Sequence, residues 1–120
     1  MAVESSIILC VDDEPDGLLV RQKLLQSQGY QVLTATSGHQ ALELFAANPI
    51  KAVILDYIMP EMDGGQVAAA LKRLKPEVKI LLLSAYVDLP REVLILVDAR
   101  MVKGNPPRAF LTAVQQLLCV

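Results

Sequence analysis

Two cysteines and one histidine are the only thiol and imidazole ligands that this 120-residue chain offers a metal. Cys10 lies inside an apolar run and Cys119 next to the last residue. No Cys-x-x-Cys pair or Cys/His cluster exists, which excludes a zinc site. Both cysteines are expected as buried free thiols rather than as a disulfide. An excess of basic charge is also lacking: 11 Lys and Arg stand against 13 Asp and Glu, a formal net charge of −2. Without a concentrated basic face, no nucleic acid is expected as a direct ligand. No apolar run reaches membrane-spanning length, and no basic segment precedes an apolar one near Met1. No membrane partner is therefore expected, and the cytoplasm is the expected location. A glycine-rich phosphate loop is missing after the first apolar run, which leaves a nucleotide- or flavin-binding module poorly supported. Linkers, low-complexity tracts and internal repeats are absent too, so residues 1–120 read as one domain with no output domain among them.

What is present is a folding composition, 53% hydrophobic and 20% charged, in which short apolar runs alternate with helical patterns. Residues 7–11 (IILCV), 31–36 (QVLTAT), 52–55 (AVIL), 79–83 (KILLL) and 99–102 read as strands. Between them, 15–28 suits a helix with Pro15 in its first turn and Gly29 at its end, although Gly17 weakens it. Ser37 is placed to cap a helix over 38–47 with Ala41, Leu42 and Phe45 on one face. A third helix over about 65–75 carries Val67, Ala68, Leu71 and Leu74, and a last one over 107–118 carries Phe110, Leu111, Val114, Leu117 and Leu118. Residues 90–98 (PREVLILVD) fit a strand as well as a helix. The alternation elsewhere favours a helix, which either leaves several of Val93 to Val97 exposed as a partner face or is buried more deeply than its neighbours. Five such repeats predict an α/β fold, a parallel sheet with helices on both faces.

In an open parallel sheet, ligands bind beyond the carboxyl ends of the strands. Polar groups stand where each apolar run stops: Asp12 and Asp13 after the first, Asp56 after the third, Ser84 after the fourth, Lys103 after the fifth. Three ionised carboxylates share a partly desolvated edge only if cations offset their repulsion. Lys103 supplies one positive charge; a divalent ion bound by oxygen, Mg²⁺ or Mn²⁺, is the natural second. A metal beside a carboxylate, an ammonium and a hydroxyl suits phosphoryl transfer with the carboxylate as acceptor. A phosphohydrolase using Asp56 as nucleophile is disfavoured, because Ile58 stands where the usual second acid would be.

The segments VDDEP (11–15), GYQVLTATSGHQAL (29–42), VILDYIMPEMDG (53–64), LLLSA (81–85) and MVK (101–103) resemble the receiver domains of two-component response regulators over essentially the whole chain. The resemblance implies a flavodoxin-like, doubly wound five-stranded parallel sheet of order 2-1-3-4-5. It implies that Asp56 accepts a phosphoryl group from a sensor histidine kinase or phosphotransfer protein. Asp13 and Asp56 would bind Mg²⁺ with the backbone carbonyl of Ile58, and Asp12 would act through water. Lys103 would pair with the phosphoryl group, and Ser84 would donate to it and set the switch. Such a domain is no enzyme beyond self-phosphorylation and slow self-dephosphorylation. Ile58 and Tyr86 flank the path of hydrolytic water in the family, and their bulk predicts slow loss of the phosphoryl group. The chain departs from the family pattern at Arg100, where the switch normally has an aromatic, and at Gly104, where proline follows the lysine. These departures keep a second reading open, an interaction adaptor that works without phosphorylation. Residues 90–103 are the expected face of a homodimer.

Overall fold

The computed structural model describes residues 6–85 and 88–119. Each apolar run becomes one strand: β1 (Ile7–Val11), β2 (Gln31–Ala35), β3 (Ala52–Asp56), β4 (Lys79–Ser84) and β5 (Ala99–Val102). All neighbours pair in parallel, in the order β2-β1-β3-β4-β5. The helices are α1 (Pro15–Ser27), α2 (Gly38–Ala47), α3 (Gly64–Leu74), α4 (Arg91–Leu94) and α5 (Pro107–Leu118). This is the doubly wound sheet expected from the sequence, with boundaries shifted by a residue or so.

Because side chains alternate across a strand, each run serves two cores at once. Leu9, Val11, Val53, Leu55, Ile80 and Leu82 point to one face, where they meet α2, α3 and α4. Ile8, Cys10, Ile54, Leu81 and Leu83 point to the other and meet Leu18 and Leu25 of α1 and Phe110, Val114 and Leu117 of α5. That double duty explains why the strands show no polar alternation. β3, between β1 and β4, is buried at all five positions, Asp56 included.

Capping residues fix where α2 and α3 start. Ser37 accepts from the backbone N–H of Gln40 at 3.1 Å. Asp63 and Gln66 form a reciprocal capping box ahead of α3, with both bonds at 2.9 Å.

Three expectations fail. The helix over 90–97 is a single α-helical turn, α4, drawn tighter by Leu96 N–H to Val93 O at 3.0 Å and Val97 N–H to Leu94 O at 3.4 Å. A run with no polar side cannot lie on a core as a regular helix without exposing apolar surface. The chain instead buries Val93 and turns Leu96 and Val97 against the α2–α3 side. Of the five, only Ile95 is largely exposed, at 75%, so the extended apolar face expected of residues 90–97 is not there. Leu74 is exposed at the last position of α3. Cys119 is exposed as well, one residue past α5, whereas Cys10 is buried as expected.

Candidate functional site

Asp56 is the last residue of β3, opposite Leu83 of β4, and its position is set by the ladder rather than by a loop. The next residue is still tied down, Tyr57 N–H donating to Leu83 O at 2.9 Å. Asp12 follows β1 immediately, and its N–H donates to Ala35 O of β2 at 3.1 Å. Since β1 and β3 are neighbours, the two acids are side by side at the same rim. Lys103 follows β5, with its N–H bonded to Ser84 O at 2.8 Å. Two strand spacings of about 4.8 Å each separate β5 from β3, a gap that a lysine stem can reach across. Its Nζ lies 2.9 Å from Asp56 Oδ1 and 3.6 Å from Asp12 Oδ2.

One carboxylate oxygen from each of Asp12, Asp13 and Asp56 lies within 4.8 Å of the other two. Asp12 and Asp56 are buried, and Asp13 is the most exposed of the three. The rim opens into a cavity of about 260 Å³ lined by Asp13, Glu14, Asp56, Ile58, Ala85 and Lys103. Ile58 is 53% exposed at its edge. An all-oxygen set of three carboxylates fits a hard divalent cation such as Mg²⁺ and suits a soft metal poorly.

Ser84 ends β4 and is buried. Arg100 is exposed on β5, where alternation turns Ala99 and Met101 toward α1 and α5 and leaves Arg100 and Val102 on the opposite side. Gly104 has φ +97°, a left-handed conformation that directs the chain away from Lys103 into Asn105, whose amide donates to Val102 O at 2.6 Å. Tyr86, expected beside the site, lies outside the described residues.

Sequence reasoning missed Arg21. It reaches from the second turn of α1 to pair through Nη2 with Asp12 Oδ2. The available signal was Gly17, one helical turn earlier, which leaves room for the guanidinium. The other Asp12 oxygen accepts the N–H of Glu14 at 2.9 Å, a local turn that leads into Pro15 and α1.

The charges respond to this crowding. Burial pushes the Asp12 carboxyl up, but the Glu14 N–H, Lys103 and Arg21 outweigh it and hold the group below the usual carboxylate range. Burial also pushes Asp56 up. There the Lys103 hydrogen bond only partly compensates, and the neighbouring Asp12 adds to the rise, so Asp56 stays above that range. Burial alone would lower Lys103; its hydrogen bond to Asp56 and the charges of Asp56 and Asp12 raise it instead. A lysine so placed stays protonated beside an aspartate whose ionisation is resisted. The arrangement therefore gains from any further positive charge.

The family model described as "Response regulator receiver domain" matches residues 8–104. The Response regulator SaeR of Staphylococcus aureus (strain USA300) is 32% identical over 114 residues, covering 92% of this chain and 50% of that protein. The Transcriptional regulatory protein GlrR of Escherichia coli (strain K12) is 34% identical over 93 residues, covering 78% of this chain and 21% of that protein. The chain thus spans half or less of these curated relatives. Among solved structures, the response regulator protein TrrA from Thermotoga maritima, in complex with Mg(2+)-BeF, superposes with TM-score 0.86 at 35% identity, covering 94% of this chain and 99% of that one.

Proposed function

The chain belongs to the response regulator receiver domain family, and on that premise we propose that Asp56 is its phosphoacceptor, charged by a sensor histidine kinase or phosphotransfer protein. A carboxylate oxygen of Asp56 attacks phosphorus as the phosphorus–nitrogen bond of the donor's phosphohistidine breaks. Lys103 holds the acceptor carboxylate at 2.9 Å and stays cationic to meet the incoming charge. Ser84, at the end of the adjacent strand, donates to the bound phosphoryl group. Asp13, Asp56 and the Ile58 carbonyl, with Asp12 through water, would hold Mg²⁺ or Mn²⁺, which supplies charge neutralisation at the phosphoryl oxygens. Chemistry stops at the chain's own aspartate: self-phosphorylation from a small donor and slow loss, slowed by Ile58 at the cavity's edge.

The observation that carries this reading is the meeting of three carboxylates, within 4.8 Å of one another, with Lys103. Incubation with Mg²⁺ and a small phosphodonor, followed by intact mass, should show one added phosphoryl group that disappears in Asp56→Asn. A wild-type chain that gains nothing would leave the second reading, an adaptor acting without phosphorylation. That alternative draws on Arg100 and Gly104, which replace the family's aromatic and proline. A homodimer through residues 90–103 would use Ile95 and Val102, exposed at 75% and 41%, as its apolar contacts. Light scattering that gives a monomer mass with and without a phosphoryl mimic removes the dimer.

A further inference from the structure

Arg21 has no part in the phosphoacceptor chemistry, yet its guanidinium sits on one of the acids. Its Nη2 pairs with Asp12 Oδ2, and its side chain is only 16% exposed. A Cβ placed at Gly17 would lie 3.5 Å from Arg21 Nη1 and Nη2 and 3.7 Å from Asp12 Oδ2. The guanidinium thus lies over bare helical backbone, and a side chain much larger than methyl at residue 17 would occupy its place. Glycine weakens the first turns of a helix, so this is a costly place to have one.

Asp12 is fully engaged as a result. Oδ1 accepts the Glu14 N–H at 2.9 Å, and Oδ2 faces Arg21 with Lys103 Nζ at 3.6 Å. Three carboxylates face two cations, Arg21 and Lys103, which leaves one negative charge over. A divalent ion drawn to the cluster reverses that sign and presses on both cations. Arginine cannot relieve the pressure by losing a proton. Lys103 is anchored to Asp56 at 2.9 Å, whereas Arg21 hangs on a flexible stem beside a cavity of about 190 Å³ that it lines with Val20, Leu24, Lys103 and Phe110.

We infer that Arg21 is a built-in counter-ion of the acid cluster, which a divalent cation must displace from Asp12 toward the cavity between α1 and α5. Arg21 then raises the concentration of metal needed to load the site, and it carries the loaded state to the α1 face. The inference rests on the metal reading proposed above.

Isothermal titration of the full chain with MgCl₂ tests it. Arg21→Met keeps the length and apolar character of the stem, and it should bind Mg²⁺ at least about fivefold more tightly than wild type, the lower bound of typical coupling between two sites. Equal or weaker binding by a folded Arg21→Met chain overturns the inference and leaves the metal reading intact. An absence of binding in both chains overturns both. Should the variant not fold, the wild type still decides. Its Arg21 Nε–H signal in NMR should move along the Mg²⁺ titration with the midpoint seen for the Asp13 amide, and a signal that stays in place while Asp13 titrates overturns the inference.

Discussion

Asp12 and Asp56 are neighbouring carboxylates with opposite responses to the same rim. Asp12 is held below its ordinary range, so it contributes stability above its unfolded value, about 3.9, and that contribution is lost as pH falls through its folded value. Asp56 is held above, so its ionisation costs stability at neutral pH, and acidification through its folded value removes the cost. In metal-free protein, carbon-13 NMR of the side-chain carboxyls should therefore show Asp56 taking up its proton at higher pH than Asp12. Asp12→Asn removes a like charge and should move the Asp56 titration to lower pH; an upward move contradicts the like-charge argument. At Cys10 burial outweighs the neighbouring charges, Arg21 lowering the thiol and Asp12 raising it. Its thiol is pushed up to about 12, chiefly by burial in the sheet, while Cys119 lies exposed. At pH 8 a thiol reagent should label one cysteine of the native chain and two after unfolding, and rapid double labelling of native protein would count against the burial argument. The sequence placed both cysteines in the core. Cys119 escapes because, one residue past the helix end expected at 118, it no longer lies on the face that buries Phe110, Val114 and Leu117.

At the scale of elements, the turn from β3 into α3 determines how firmly the acceptor aspartate is held. Gly64 opens α3 and sends its N–H to Tyr57 O at 2.7 Å. A Cβ there would lie 2.7 Å from Asp56 O and 2.8 Å from Tyr57 Cα, backbone atoms that cannot yield without moving the site. Gly64→Ala should cost about 1–3 kcal/mol as an overpacking change, and it should slow phosphoryl acceptance because Asp56 shifts with its own carbonyl. Gly104→Ala makes a useful contrast. Among the described residues no atom lies within 4 Å of a Cβ there, and φ +97° is the obstacle they present, a backbone cost of about 1–2 kcal/mol. Urea titrations paired with phosphorylation rates should separate the two: wild-type rates in Gly64→Ala would show that this turn does not position Asp56. The strand runs around this turn were readable because each rests on residues close in sequence, and the Asp63–Gln66 capping box rests on equally local residues. The segment 90–98 was not, since Val93 to Val97 carry no period and only packing against the α2–α3 side decides which of them turn inward.

For the whole molecule, parallel topology explains why so much of the site was legible. A sheet of this kind brings the residue after each strand to one edge, so Asp12, Asp56, Ser84 and Lys103 could be grouped before any distance was known. Arg21 could not, because it enters from a helix, over a position where Gly17 keeps the side chain small. The same convergence couples the site to global stability. Unfolding separates β1, β3 and β5 and with them the three carboxylates and Lys103, so a cation that binds the cluster binds the folded chain alone. At pH 7, Mg²⁺ at ten times its dissociation constant should stabilise the fold by about 1.4 kcal/mol, or about 4–6 °C in Tm for a chain of this size. Asp13→Asn removes the direct ligand proposed above while leaving the Asp12–Arg21 and Asp56–Lys103 pairs in place, so most of that gain should vanish with little change in Tm before metal is added. Acidification should erase the gain as the carboxylates protonate, with Asp56 first because its folded value lies above the usual range. Differential scanning calorimetry across pH 4–7 reads all three effects. A Tm that ignores Mg²⁺ at neutral pH, or an Asp13→Asn chain that responds as the wild type does, would mean that the acids meet at the rim without forming a metal seat.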